Sequence, residues 1–491
     1  MASFLSFYAH LSRLPIRSAA VAAAYAEIFH RYLRTYVDRE DSALLYAEAF
    51  DGGARVVDCA LKYAVECVRD FPFDLGVMRS VDCILDSIAD KKSSVLVYVA
   101  SLPEFEYLAR YVRQPLSSAL AGSTRGRILS LFISCLADHD PLELEKELET
   151  LFAVTRESPL ERVLDCLYTL RGFFESIGRQ NIIKASFDLF FAAMRNLLHL
   201  SFARFHEHAL IVECVQCARV VFMVSTPLLE NARIRLLLDF VELVMRNCCE
   251  SMQTVITWRA AEHEKDQIGF ITTMANLIVS VAQWKALDCF LPEEDVRSLA
   301  DTTVETLVFI LGNMDAKMLC YPELEEATFM ALDMCADSFI STFVNSPNSN
   351  SLHSATLFAL STERRGIQRV GITVATKVSD YLEYSQATNK KVLVDYLNTI
   401  MNSLILCKSP TSNSQIVSKA ILCFAKRSSL SCISSIFDAV SGPYPSLRPF
   451  FEAIYVSLES SLANSDSVAA QRKFEECLKT NFSLIKAING L

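Results

Sequence analysis

Apolar residues recur at helical spacing along almost the whole chain, with so little between the runs that the connections read as turns. Segments 158–176 and 180–200 are separated by "GRQ", 203–225 and 227–250 by "STP", and "LPEED" leads into 293–311. Further stripes fall at 16–36, 53–69, 74–89, 124–137, 141–154, 264–287, 322–344, 363–383, 390–407, 412–426, 429–440, 445–462 and 465–488. A helix that is apolar on one side must bury that side on a neighbour. Such a series admits a closed bundle or a stack of helix pairs. A bundle core becomes unwieldy well before 491 residues, whereas a stack grows by adding pairs of about 40–47 residues. The pairs 158–200, 203–250, 264–311 and 412–440 have about that size. The expectation is an all-α, HEAT-like helical-repeat solenoid, a right-handed α-α superhelix of roughly ten pairs.

Composition supports that reading. Only 13 glycines and 14 prolines serve 491 residues, too few for sandwiches or Rossmann-type folds. With 52% hydrophobic and 21% charged residues the chain is not a disordered one. Three divisions suggest themselves: generic helical repeats over 1–150, central HEAT-like repeats over 151–345, and C-terminal HEAT-like repeats over 346–491. The last boundary falls at "NSPNSNS", 345–351, where Ser, Asn and Pro disfavour helix and permit a mobile loop.

One stretch shows the local logic. In "MDAKMLCYPELEEATFMALDMCADSFISTF" Pro322 and the carboxylates Glu323, Glu325 and Glu326 mark a helix start. Leu307 and Leu311 before it, and Leu324, Ala331 and Met334 within it, are expected in a shared inter-helix core. The longest charge-free stretch, "QIGFITTMANLIVSVAQW" at 267–284, carries Thr273, Asn276, Ser280 and Gln283 on one stripe. It reads as an amphipathic helix buried on most of its circumference, not a membrane span. The opening "MASFLSFYAHLSRLPIRSAAVAAAYA" imitates a signal peptide, but Arg13 and Arg17 interrupt its apolar region. The 16 cysteines, scattered through apolar segments, read as reduced core thiols.

Candidate chemistry is thin. Cys214 and Cys217 in "CVQC" have zinc-knuckle spacing, with His206 and His208 upstream. In a helix, however, eight residues separate His206 from Cys214 by about 12 Å, and one zinc ion needs ligands at about 2.0–2.3 Å. Helix-core thiols are the stronger reading. "DHDPLELEKELET", 138–150, reads as a capped acidic helix start before it reads as a partner contact. "AGSTRGR", 121–127, suggests a phosphate loop but lacks the Walker lysine and reads as an inter-helix turn. The eight histidines join no nucleophile motif. No catalytic, cofactor or metal residue is assigned, and the chain is expected not to be an enzyme. A net charge of −10 without basic runs disfavours nucleic acid and suits basic protein partners.

Four stretches carry a family likeness: "ADTTVETLVFILGNMDAKMLCYPELEEATFMALDMCADSFISTF", "EKDQIGFITTMANLIVSVAQWKALDCF", "YLNTIMNSLILCKSPTSNSQIVSKAILCFAKRSSL" and "QRKFEECLKTNFSLIKAING". In them the C-terminal two-thirds of the chain resembles the karyopherin-β (importin-β/exportin) nuclear transport receptors, most of all the exportin-four and exportin-seven subgroup, with order and spacing most similar to exportin-four. The resemblance implies a HEAT-repeat receptor in nuclear export, shuttling between nucleus and cytoplasm through nuclear pore proteins. It implies binding of protein cargo, including small basic proteins, together with Ran in its GTP form. Cofactors and membrane insertion are not implied. Members of the family are much longer, with their principal Ran-binding helices in N-terminal repeats, so the chain reads as one that begins mid-array. The alternative is a helical-repeat scaffold or adaptor without Ran-linked release.

Overall fold

The computed structural model describes residues 18–36, 54–89, 93–112, 119–136, 148–176, 180–204, 207–254, 264–284, 292–315, 317–382, 387–405, 414–427, 430–463 and 467–488. These residues contain α-helices, short 3-10 turns and no strand. The fold is all-α, and its helices pack as repeating pairs. The chain divides into two compact units, Met1–Val255 and Ile256–Leu491.

Unit 1 holds α1 (Ala19–Tyr36), α2 (Ala54–Asp70), α3 (Leu75–Ala89), α4 (Ser93–Ala100), α5 (Pro103–Val112), α6 (Ala119–Leu136), α7 (Leu160–Ser176), α8 (Gln180–Ala203), α9 (His208–Ser225) and α10 (Asn231–Thr254). One row runs α1–α3–α6–α7–α9, each helix packed on the next. On its other side α2 packs with α4 and α5, and α8 with α10. The row members α6, α7 and α9 begin at residues 119, 160 and 208, so the unit recurs at 41 and then 48 residues.

Unit 2 holds α11 (Glu264–Ala282), α12 (Glu293–Gly312), α13 (Pro322–Ser338), α14 (Ile340–Asn345), α15 (Ser349–Ser361), α16 (Arg365–Tyr381), α17 (Ala387–Ile405), α18 (Ser414–Arg427), α19 (Leu430–Ser441), α20 (Arg448–Leu462) and α21 (Ser467–Ile488). The close row here is α11–α13–α16–α18–α21, and the second is α12–α15–α17–α19–α20, with α14 tucked between α12 and α16.

Most stripes fold where the spacing puts them. Pro322 occupies the first turn of α13, after Tyr321 in extended backbone. The charge-free stretch forms α11. Its Thr273 and Ser280 are buried, and their hydroxyls donate to the carbonyls of Gly269 at 2.7 Å and Asn276 at 2.9 Å, which makes the polar stripe tolerable inside. The helix long and apolar enough to cross a membrane, among the described residues, is instead α9, with 56% of that window buried in the fold.

Four expectations need correction. The helix expected over 322–344 breaks at Phe339 (φ −127°, ψ 41°) into α13 and α14. The linker 345–351 is tied down: Ser346 is buried, its carbonyl accepts from the Ser349 amide at 3.0 Å, and α15 starts at Ser349. Helices α4, α5 and α15 form where no stripe was read. They are 8, 10 and 13 residues long, too short to show periodicity, and packing rather than propensity holds them. The segment 121–127 is neither a phosphate loop nor a turn but the interior of α6. The helix expected over 141–154 lies largely outside the described residues.

Glycine explains that last difference. Gly122 and Gly126 stand one turn apart on α6; Gly122 faces Tyr168 and Asp165 of α7, and Gly126 faces Gly172. A Cβ at Gly126 would fall 2.1 Å from the Thr169 carbonyl oxygen and 2.4 Å from the Phe173 nitrogen. At Gly172 it would fall 2.2 Å from the Ser123 carbonyl oxygen. The two backbones therefore touch directly, and no larger residue fits. Gly126→Ala should destabilise unit 1 by about 1–3 kcal/mol through overpacking, despite the better helix propensity of alanine. Gly269→Ala in α11, where a Cβ meets nothing within 4 Å, should instead stabilise by up to about 1 kcal/mol. Urea denaturation of the two variants against the parent checks both signs.

Candidate functional site

Two constructions stand out, a row of ion pairs in unit 1 and an open recess in unit 2. The first is built by the glycine contact, which brings charged side chains of α3, α6, α7 and α9 into one seam. Arg127 of α6 lies 3.2 Å from Asp82 of α3, pairs with Asp86, and donates to Glu175 of α7 at 3.1 Å. Thr124 donates to Asp82 at 2.9 Å. Glu175 also meets Arg171 at 3.6 Å, and Arg171 reaches across to α9, donating to Glu213 at 2.8 Å and to Gln216. The Arg171 guanidinium also sits 5.5 Å over the Tyr168 ring. Beneath this chain, Arg125 and Asp165 form a pair whose side chains are 1% and 2% exposed, with Arg162 3.5 Å from the same carboxylate.

Burial sets the electrostatics. Asp82 is pushed up to about 6 by desolvation, with Arg127 and the Thr124 hydrogen bond opposing. Glu213 is pushed up to about 8 by desolvation, Arg171 opposing and Glu175 adding to the rise. Burial works against the charge on Arg127, but Asp82, Asp86 and Glu175 outweigh it and raise its pKa. Unit 2 uses the same device more sparingly: Lys377 of α16 lies 2.8 Å from Asp333 and 3.3 Å from Asp337 of α13.

The recess lies at the stretch that joins α12 to α13. Asp315 folds this connector by accepting from the amides of Lys317 at 2.9 Å and Met318 at 2.8 Å. Arg364 pins it from outside through the Leu319 carbonyl at 3.0 Å and the Glu325 carboxylate. A cavity of about 370 Å³ remains, walled by Leu311, Met314, Leu319 and Phe329 and closed by Ser351, Ser354 and Phe358 of α15. The rings of Phe329 and Phe358 stack, with centroids 6.0 Å apart and planes 9° apart. Phe358 is 42% exposed. The lining is apolar with hydroxyl and amide groups and carries no charged side chain. Such a recess suits an apolar group of a partner.

Residues singled out in the sequence fall as follows. Leu307, Leu324 and Ala331 are core, but Leu311 and Met334 are only half-buried, and Leu311 lines the recess. The spacing predicts a shared inter-helix core for all five, but the folded connector between α12 and α13 leaves Leu311 facing the recess instead. Cys214 and Cys217 lie fully inside α9, where burial holds the Cys214 thiol up to about 12 and that of Cys217 well above its ordinary value. Neither is poised as a thiolate. Among the described residues no group of three or more His, Cys, Asp or Glu is placed to hold a metal ion. His206, and most of 138–150, lie outside the described residues. The ion-pair row was missed in the sequence, although Asp165 and Arg171 six residues apart on one helix were visible signals.

The fold thus defines an all-α helical-repeat protein. No family model matches the chain, and no curated protein matches it. Solved structures do. The chain is similar to an engineered protein at 13% identity, covering 97% of this chain and 98% of that one with a TM-score of 0.45. It is similar to Kap121p, in a structure bound to RanGTP, at 11% identity and a TM-score of 0.32 over 98% of this chain and 52% of that one. The chain therefore spans about half the length of that Kap121p chain. A structure concerned with a phosphorylation switch in the interaction between cadherin and β-catenin matches at 10% identity and a TM-score of 0.27, covering 96% and 99%.

Two stability measurements test the construction. Arg125→Ala should cost about 3–5 kcal/mol by taking the nearest countercharge from the buried Asp165, while Arg125→Met combined with Asp165→Leu should recover most of the loss. Leu307→Ala should cost about 2–5 kcal/mol, and Leu311→Ala distinctly less, because one side of Leu311 already faces open space. Chemical denaturation of these variants, read separately for each unit, gives the ranking.

Proposed function

We propose that this chain is a protein-binding receptor of the karyopherin-β type, akin to the exportin-four and exportin-seven subgroup, that carries basic protein cargo between nucleus and cytoplasm in a Ran-GTP-dependent cycle, without catalysis of its own. The observation that carries this reading is the architecture: helix pairs stacked in two rows in each unit. Such a stack spends its buried polar groups on holding helices together and turns the other faces outward as binding surface. The recess beside Phe329 and Phe358 offers an apolar anchor point on that surface. The net charge of −10 favours basic partners through steering. The family likeness of the four quoted stretches adds the transport cycle and its nuclear pore partners to what the geometry supports.

The test is retention of Ran on the immobilised chain, with Ran loaded with GTP or with GDP and a small basic protein present as cargo. Retention that prefers the GTP form, even where weak, with cargo retained alongside it, is the expected result. Cargo bound equally in the presence of either nucleotide form, with no Ran retained, replaces the receptor with a scaffold that holds partners constitutively. A measured hydrolase or transferase activity overturns both.

A further inference from the structure

The ion-pair row in unit 1 ends at α9 on a buried carboxylate that shares its guanidinium. Around Arg127 and Arg171 stand four carboxylates, those of Asp82, Asp86, Glu175 and Glu213. At the α9 end one guanidinium, that of Arg171, stands between two carboxylates, Glu175 at 3.6 Å and Glu213 at 2.8 Å, and Glu213 is only 5% exposed. A carboxylate without enough countercharge in such surroundings takes up a proton.

Glu213 is where the shortfall is greatest. Its Oε2 accepts from Arg171 at 2.8 Å, while its Oε1 makes no hydrogen bond to the protein. The charges acting on it come from α7: Arg171, which it must share with Glu175, and Glu175 itself. The Tyr168 phenol of α7 also feels the Glu213 charge. On α9 its titratable neighbours are the buried thiols of Cys214 and Cys217. What α8 and α10 turn toward Cys214 is Ser201 and the thiol of Cys248, neither of them a countercharge.

We propose that Glu213 holds a proton at neutral pH and that its loss above neutrality loosens the seam between α7 and α9, which makes the packing of unit 1 sensitive to pH. Once ionised, Glu213 competes with Glu175 for the single guanidinium of Arg171, and the surplus charge is relieved by parting the helices enough to admit water. Burial, which pushes Glu213 up to about 8 and Asp82 up to about 6, acts in the same direction at both ends of the row.

The sign follows from proton counting. An acid whose pKa is raised in the native state keeps a proton that the unfolded chain has already released. Its contribution to stability is whole below the unfolded value and is lost as pH climbs to the folded one. For Asp82 that window runs from 3.8 to about 6, and for Glu213 from 4.5 to about 8. Between pH 6.5 and 8 the slope belongs to Glu213. One retained proton makes the unfolding constant of unit 1 rise about tenfold per pH unit where it is fully held.

The experiment compares the full chain with Glu213→Gln by urea denaturation from pH 6.5 to 8.5, so that histidines common to both cancel. The parent should lose stability more steeply than the variant across the range, since glutamine keeps an acceptor for Arg171 and carries no charge, while the buried thiols contribute equally to both. Glu175→Gln, which removes the competing carboxylate, should move the parent's transition to lower pH. Amide hydrogen exchange on the parent, corrected for intrinsic rates, should show protection of α7 and α9 falling between pH 7 and 9 while α11 and α13 hold. A Glu213→Gln slope equal to that of the parent overturns the proposal. So does pH-independent protection of α7 and α9, a measurement that stands even where the variant does not fold.

Discussion

The backbone contact between α6 and α7 is the constraint on which unit 1 depends. Gly122, Gly126 and Gly172 let two helices approach until carbonyl oxygens of one would touch a methyl of the other. Glycine in a helix interior costs about 1 kcal/mol relative to alanine, so three of them are retained against local preference. What the approach returns is dispersion along the whole contact and a short reach for long side chains. Arg125 and Arg127 leave α6 beside the glycines and find Asp165 and Glu175 on α7 without crossing solvent. Among the described residues unit 2 has one such position: a Cβ at Gly371 of α16 would come within 2.8 Å of the Leu360 nitrogen.

Close approach has an electrostatic consequence. It draws charged groups out of water, and arginine tolerates this better than a carboxylate because its guanidinium is weakly hydrated and always protonated. The burden therefore falls on the acids. Asp165 meets it with two arginines nearby, and Asp82 with Arg127 and the Thr124 hydroxyl. Glu213, at the far end of the row, has a share of one arginine. Position along the row decides which carboxylate is least satisfied, and the row ends inside the core rather than at the surface.

The helices were legible in the sequence because each is long enough to repeat its stripe several times. For α7, α12 and α16 the apolar period locates the element, and Pro322 with its carboxylates locates the start of α13. The all-α repeat class follows from those lengths and the short connections. The seam was not legible, because it depends on which glycine meets which across 46 residues, and "AGSTRGR" looks locally like a loop. Its glycines mark a close approach, which only the neighbouring helix reveals. The recess was hidden for a related reason: Leu311 shares the period of Leu307, and periodicity assigns a face without saying what covers it.

The part of unit 2 that departs furthest from the helical pattern is also the part that forms the recess. A continuous helix over 322–344 followed by a loose linker would leave α12 and α13 to close on each other. Instead Phe339 leaves helical backbone, α14 lasts six residues, and Ser346 turns the chain so that α15 returns across the connector. The serines and asparagine that disguised α15 as a linker are the groups that stand at the cavity, Asn350, Ser351 and Ser354, while Leu352, Thr356, Ala359 and Leu360 on the opposite side hold the helix in the core. One short helix thus answers two demands. Its composition is poor for a helix because half of it is kept for a surface, and only the packed half makes it fold.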